Sequence, residues 1–287
     1  MLTRLGVIEE TLGAASQLVL AAFAAVSAGA ATGATEAPAA AAAPPAGVVI
    51  KDGDANQVLT ETDLASGREI LTRLRAAFPH DAVLDEESGY HGGSSDYTWV
   101  VDPIDGTSNF AAGTPLFGIM IGLLKGGTPV AGGVALPALG ETYLAEAGGG
   151  ARCNGLPIRV TPEEDLLSTL VAWGVDSDRD TPQNTRREMQ QLAEVVLNCR
   201  NLRISNSAFD QMMVARGAYG GCVNRSSRIW DNVAPHIIIE EAGGRYTDFD
   251  GAPMVYHPGE RAGATPYTWC TAAPVLHARL QELIHGG

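Results

Sequence analysis

The chain has 287 residues, 45% hydrophobic and 18% charged, a composition that suits a globular protein burying a large core as one two-part unit or two domains. Nineteen Lys and Arg against 33 Asp and Glu leave a formal net charge of −14, which argues against nucleic acid and membrane as partners held by bulk electrostatics. Cys153, Cys199, Cys222 and Cys270 show no Cys-x-x-Cys spacing, so they read as reduced core residues in a cytoplasmic protein rather than as a zinc site or disulfide frame.

Residues 12 to 31 carry no formal charge, so a membrane span has to be weighed first. Leu5, Ile8, Leu12, Ala15, Val19 and Val26 fall mainly at helical intervals, with Glu9, Glu10, Ser16 and Gln17 elsewhere on the wheel, which predicts an amphipathic first helix. Glu9 and Glu10 also stand where a secretory leader would be positive. Residues 27–47 are Ala, Gly, Thr and Pro almost throughout and predict a mobile surface insert, because they bury too little to offset their ordering entropy. Asp63 precedes a helical pattern with Leu64, Leu71, Leu74 and Phe78 on one face, stopping at Pro79, so its bland role is that of an N-cap. Ala82-Val83-Leu84 reads as a strand running into Asp85-Glu86-Glu87-Ser88, and Tyr97 to Val101 as the next one.

That second strand delivers Asp102-Pro103-Ile104-Asp105-Gly106-Thr107. Two carboxylates three residues apart on a Pro-stiffened turn can face one way and hold hard divalent cations, which prefer oxygen ligands. Gly106 and Thr107 open a new segment whose free backbone N–H groups suit a phosphate oxygen. Short apolar runs over 116–124, 130–136 and 141–145 then predict an antiparallel meander ending in the turn-rich stretch 148–155. Beyond it come a buried strand at 170–173, helices at 184–198 and 207–216, and after Trp230-Asp231 a helix through Ile237, Ile238 and Ile239 to Gly243-Gly244. Alternating strands and helices favour a layered α/β second half. His80, His91 and His236 show no ligand spacing and are expected on the surface or on helices.

Glu86, Asp102, Asp105 and Asp231 each end a strand or open a helix, where chain ends can gather at one sheet edge. Thr60-Glu61-Thr62-Asp63, Asp85-Glu86-Glu87-Ser88, the run from Trp99 to Phe110, and Trp230-Asp231 followed by Glu241-Ala242-Gly243-Gly244 resemble, in order and separation, the inositol monophosphatase family of lithium-sensitive, magnesium-dependent phosphomonoesterases. The match spans most of the chain from Lys51 to Pro274. The resemblance implies that Glu86, Asp102 and the Ile104 carbonyl bind a first Mg²⁺, that Asp102, Asp105 and Asp231 bind a second, and that Glu86 helps hold a third through water. It implies further that Asp63 and Thr107 orient the attacking water, that the amides of Gly106 and Thr107 hold the phosphate, and that the enzyme is a homodimer. Hydrolysis of a phosphate monoester needs a nucleophile from water and charge stabilisation at phosphorus, which paired metals supply without a Ser, Cys or His nucleophile.

Two departures concern the substrate wall. Seven residues before the Trp-Asp aspartate, inositol-specific relatives carry a Glu that bonds ring hydroxyls; here Asn224 stands there, followed by Arg225, which could meet a second phosphate or a carboxylate. In Ser205-Asn206-Ser207-Ala208, Asn206 replaces the Gly of the relatives' Gly-Ser-Ala or Gly-Thr-Ala, and Ser207 and Ala208 are expected near the leaving-group pocket.

The expected architecture is a layered α/β (α+β) sandwich, αβαβα. Its N-terminal half (1–155) is built on an antiparallel sheet, its C-terminal half (156–287) on a mostly parallel one, and the site lies between them. The expected function is Mg²⁺-dependent hydrolysis of a small polyol or sugar phosphate, by default inositol 1-phosphate. Histidinol phosphate, fructose 1,6-bisphosphate or 3′-phosphoadenosine 5′-phosphate are alternative substrates of the same chemistry. A non-catalytic metal-binding regulatory protein is the reading from a different class.

Overall fold

The computed structural model describes residues 3–31, 48–50 and 58–286. The first helix, α1 (Arg4–Ala31), is followed by β1 (Val48–Ile50), β2 (Val58–Thr60) and α2 (Glu61–Ala77). Residues 27–31 of the expected insert therefore continue the helix, and its remainder, 32–47, lies outside the described residues. Then come β3 (Ala82–Asp85), β4 (Gly89–His91), β5 (Tyr97–Asp105) and the short α3 (Thr107–Ala111). The meander β6 (Gly118–Lys125), β7 (Thr128–Leu136) and β8 (Glu141–Glu146) leads to β9 (Gly150–Cys153) and β10 (Leu156–Pro157). The remaining elements are β11 (Leu170–Gly174), α4 (Pro182–Asn198), β12 (Asn201–Arg203), α5 (Ser207–Ala215), β13 (Gly221–Ser227), α6 (Val233–Glu241), β14 (Arg245–Asp248), β15 (Tyr267–Ala272) and α7 (Pro274–His285).

Eight strands form one sheet in the order β10-β9-β8-β7-β6-β5-β3-β4, antiparallel except for the parallel pair β3–β5. Five form a second, β12-β11-β13-β15-β14. Here β11 runs parallel to β12 and β13, whereas β15 runs antiparallel to both β13 and β14. The expected mostly parallel sheet is thus parallel on one side only, because β15 returns directly beside β13.

Five layers result. Helices α1 and α2 cover one face of the first sheet, burying Ile8, Leu12, Ala15, Val19, Ile70 and Leu74 against Trp99, Val101, Ile119 and Ile121. Helices α5 and α6 fill the space between the sheets, where Met212, Ile238 and Ala234 meet Met120 and Val134 of one and Cys222 and Trp269 of the other. The outer face of the second sheet is closed by Val195 of α4 and Leu276, Leu280 and Ile284 of α7. Successive residues of β5 and β6 alternate between these cores, as the two-residue pleat requires. Where β7 runs between two helices its side chains vanish: a Cβ on Gly132 would stand 2.9 Å from Ala234 Cα of α6, and one on Gly133 would stand 2.5 Å from Ile8 Cγ2 of α1.

Helix α1 is long and apolar enough to cross a membrane, yet it lies along the sheet as the expected amphipathic helix, with Glu9, Glu10, Gln17 and Leu20 on the outer face. Its start is pinned by Arg4, whose guanidinium lies 4.3 Å from the Phe78 ring centre and 3.8 Å from that of Tyr97 and donates to Asp81 Oδ2 at 2.9 Å. Helix α2 is capped by Thr60 rather than Asp63. Asp63 is the N3 residue of a capping box, its carboxylate accepting the Thr60 N–H at 2.8 Å. The buried face of α2 carries Asp63, Ser66, Gly67, Ile70, Leu71 and Leu74, which turns Leu64 outward.

Leu12→Ala, which empties a fully buried position between α1 and the sheet, is expected to lower the unfolding free energy by about 2–5 kcal/mol in urea titrations.

Candidate metal centre and cleft

Strand β5 pairs with β6 in register from Tyr97↔Lys125 to Asp102↔Met120, then slips before Asp105↔Gly118. Pro103, with no N–H to give the ladder, sits in the slip between the two paired aspartates. The parallel partner β3 ends alongside, where Glu86 N–H donates to Val101 O at 3.1 Å. From the second sheet, β13 ends at Ser227 and a 3-10 turn, Ile229–Asp231, carries Asp231 to the same place. One carboxylate oxygen each from Asp102, Asp105 and Asp231 lies within 4.8 Å of the others.

Each of the three carboxylates is oriented by a main-chain amide. Asp102 Oδ1 accepts from Ile104 N at 3.0 Å, Asp105 Oδ2 from Ala208 N at 2.7 Å, and Asp231 Oδ2 from Arg228 N at 2.6 Å. The amides do not offset the cost of crowding. Burial, followed by the charges of Glu86, Asp105 and Asp231, pushes the Asp102 carboxyl well above the usual range, and burial with Asp105 and Glu86 does the same to Asp231. Burial raises Asp105 to about 6 against the pull of its Ala208 and Asn206 hydrogen bonds. Hard oxygen donors converging with mutual repulsion fit a divalent cation of the Mg²⁺ type, which would convert repulsion into attraction. Glu86 and Ile104 line the same cleft. The Ile104 carbonyl lies 3.0 Å from the Thr107 hydroxyl, which can donate to it.

Thr107 opens α3 directly after Gly106, whose φ of 84° is the left-handed turn its missing side chain permits. A Cβ there would also collide with the Asn206 side chain, so Gly106 and the start of α5 are in close contact. The Thr107 hydroxyl lies 2.9 Å from Asp63 Oδ1, to which it donates, and Asp63 is 1% exposed. Burial raises the Asp63 carboxyl, opposed by hydrogen bonds from Thr60 and Thr107. Thr107 lines the cleft, while Asp63 stands behind it.

The cleft has a volume of about 910 Å³. Ser207, Asn224 and Arg225 are on its wall, whereas Ala208 is not: its side chain is buried against Gly118 and its amide is taken by Asp105. Asn224 Oδ1 accepts from Ser226 N at 2.6 Å. Arg225 is no freely solvated surface residue, since its guanidinium lies 4.4 Å from the Phe249 ring centre and donates to Gln191 Oε1 at 2.7 Å. A stretch not singled out from sequence, Gly174 to Asp180 between β11 and α4, adjoins that wall at Asn224, the strand partner of Gly174, and carries Asp176 and the triplet Asp178-Arg179-Asp180. The polar run before a Pro-led helix was its one signal. Asp210, which follows Asn206 closely in the chain, also lines the cleft: it is 2% exposed, receives Ser205 N and Asn206 N on one oxygen and is raised by burial to about 6. His80 is exposed and His91 partly so, but His236, though on α6, is buried and stacks on Tyr246 at 4.7 Å.

A family model described as the inositol monophosphatase family matches residues 19–285. The probable inositol 1-monophosphatase ImpA of Mycobacterium tuberculosis is 35% identical over 231 residues, 80% of this chain and 82% of its own. A histidinol-phosphatase of Chlorobaculum parvum is 34% identical over 198 residues, 69% of this chain and 74% of its own. Among solved structures, the inositol monophosphatase from Anabaena (Nostoc) sp. PCC 7120 superposes with a TM-score of 0.78 at 28% identity, covering 98% of this chain and 95% of that one.

Because Asp105 and Asp210 hold protons up to about pH 6 when folded but to about 3.8 when unfolded, their contribution to stability is full below the lower value and is lost as pH rises through the upper one. Thermal melts in a chelator should therefore fall in midpoint between about pH 4 and 6, and the increment given by added Mg²⁺ should grow over the same interval. Asp105→Asn should raise the chelated midpoint at pH 7 and remove most of the metal increment.

Proposed function

The chain belongs to the inositol monophosphatase family, and from that premise we propose that it is a Mg²⁺-dependent phosphatase of small phosphorylated polyols or sugars. The phosphatase chemistry goes with the family and with the relatives' names; the metal and the substrate are our reading. The observation that carries it is the convergence of Asp102, Asp105 and Asp231 in a cleft that Gly106 and Thr107 also line.

Asp102, Asp105 and Asp231 would hold one cation, and Glu86, Asp102 and the Ile104 carbonyl another, with Glu86 reaching a third through water. Bound there, the ions would neutralise the phosphoryl oxygens and acidify water. Thr107, giving its proton to Asp63, keeps lone pairs turned to the cleft and so accepts a hydrogen bond from the attacking water. Asp63 acts through Thr107, fixing the hydroxyl and drawing off the water proton as the new O–P bond forms. The amides of Gly106 and Thr107 hold the phosphoryl oxygens. The ester O–P bond breaks on the far side, and the leaving alkoxide takes up a proton to become the alcohol.

The leaving group faces Ser207, Asn224 and Arg225, with the amide of Ala208 committed to Asp105. Inositol 1-phosphate is the default substrate, and Asn224 can both donate to and accept from ring hydroxyls. Arg225 favours a second reading within the same chemistry. Pinned by Phe249 and Gln191, it suits an ester whose alcohol carries another anionic group, such as fructose 1,6-bisphosphate or 3′-phosphoadenosine 5′-phosphate; histidinol phosphate is the cationic alternative. Division into halves at 155/156, homodimeric assembly and Li⁺ sensitivity belong to the same proposal. A cytoplasmic location is supported by four free thiols.

Asp102→Asn and Asp231→Asn are each expected to reduce Mg²⁺-dependent phosphate release at least roughly 10³-fold with an unchanged circular dichroism spectrum, and Thr107→Val to lower kcat about 10²-fold. Wild-type turnover in either aspartate variant would sink the metal assignment. Assayed against the four esters above, Arg225→Met should lose roughly 10- to 100-fold in kcat/KM on the bisphosphates and little on inositol 1-phosphate. Equal losses on all four would remove Arg225 from substrate selection.

A further inference from the structure

Asp105 is delivered by the first sheet and Asp231 by the second, yet a shared cation would require their spacing to be fixed to a few tenths of an ångström. One helix touches both. In the first turn of α5 the Ala208 amide donates to Asp105 Oδ2 at 2.7 Å. One turn on, Gln211 Nε2 donates to the Asp231 carbonyl at 3.1 Å and to Ser207 Oγ at 3.0 Å. We propose that α5 is the jig that sets the Asp105–Asp231 separation, and that Gln211, Tyr246 and Asn232 are positioning residues for the metal centre.

Gln211 is held in turn. The Tyr246 hydroxyl lies 2.9 Å from Gln211 Oε1 and 2.8 Å from Asn232 Oδ1, so its single proton is shared between two amide carbonyls. Asn232 Nδ2 donates to the Arg228 carbonyl and, at 3.0 Å, to Ser227 Oγ, which itself donates to Tyr267 O at 3.0 Å. Arg228 is the residue whose amide orients Asp231. The chain of bonds thus grips the Asp231 turn at both ends, from α5 on one side and from β13 and β15 on the other. The His236 ring stacks on Tyr246 with 9° between planes but makes no hydrogen bond to the three residues.

Gln211 and Asn232 are fully buried and Tyr246 is 3% exposed, so water cannot replace a lost partner at little cost. None of the three lines the cleft; Gln211 reaches it through Ser207 and Asp231, and it is through Asp231 that it would act on a bound cation. Removing an outer partner of this kind costs roughly 10- to 100-fold in metal affinity or activity.

The inference rests on the metal reading above, so the test measures metal binding without turnover. Mg²⁺ would be titrated calorimetrically into the whole protein, with phosphate release against Mg²⁺ followed in parallel. Gln211→Met, which keeps bulk and deletes the donors, is expected to weaken the calorimetric midpoint roughly 10-fold. Tyr246→Phe, which removes one hydroxyl, should weaken it about 3-fold, with turnover at saturating Mg²⁺ within about two-fold of wild type. The double variant should be little worse than Gln211→Met, because both act on one chain of bonds. Tyr256→Phe is the control: it deletes an equally buried hydroxyl, bonded at 2.9 Å to His236 Nδ1 on α6 but outside the chain of bonds, and should leave the midpoint unchanged. If Gln211→Met does not fold, Tyr246→Phe decides. An unshifted midpoint in the folded variants, an equal shift in Tyr256→Phe, or a wild type that takes up no Mg²⁺ would overturn the inference. A shift without phosphate release from any ester would uphold it and sink the phosphatase reading.

Discussion

Asp102, Asp105 and Asp231 share a space in which burial alone already disfavours charge, and Glu86 adds a fourth carboxylate from the cleft wall. Left to themselves such groups would protonate or push apart. Their convergence depends on the surrounding fold, and the five-layer arrangement provides for it because no layer reaches the site alone. The first sheet brings Glu86, Asp102 and Asp105, the second sheet brings Asp231, and the helices between them carry the hydrogen bonds that cross from one to the other. A site that is uncomfortable when empty is correspondingly receptive to a cation, since each charge that repels its neighbours attracts the ion.

The same division of labour runs through the cores. Apolar packing does the holding far from the cleft, where α1 and α2 close over Trp99 and Ile121 and where α4 and α7 close over Trp173 and Val223. Near the cleft the packing gives way to buried polar networks, each nearly complete: Thr60–Asp63–Thr107 on one side and Gln211–Tyr246–Asn232 on the other. Polar networks are costly to bury and specific in geometry, whereas hydrocarbon is inexpensive and forgiving. The fold places each where its property is useful.

Much of this was legible in the residues. Short apolar runs between turn residues located β6 to β8, and Pro103 with its neighbouring aspartates located the tip of β5. Each of the four carboxylates was identifiable by its place at an element end, although only resemblance brought them together. What was not legible depended on contacts distant in sequence. Asp63 looked like a cap and proved to be the third residue of one, because Thr60 and Asp63 differ in role only through backbone angles. Leu64 fitted a helical stripe, but the face that buries is set by where the Asp85 and Pro103 side chains press on Gly67. The direction of β15, the fixing of Arg225 by Gln191 and Phe249, and the place of the stretch 174–180 likewise follow from tertiary neighbours that no local pattern announces.

The three aspartates of the metal cluster take their orientation from the N–H groups of Ile104, Ala208 and Arg228, not from side chains. Nineteen of the twenty amino acids carry that donor, and proline alone lacks it. A change of side chain at 104, 208 or 228 therefore leaves the donor itself in place, although Ile104 and Ala208 are also fixed by their own burial. The atoms that aim the cluster belong to the backbone, and a proline at one of these positions is the substitution that would remove its donor outright.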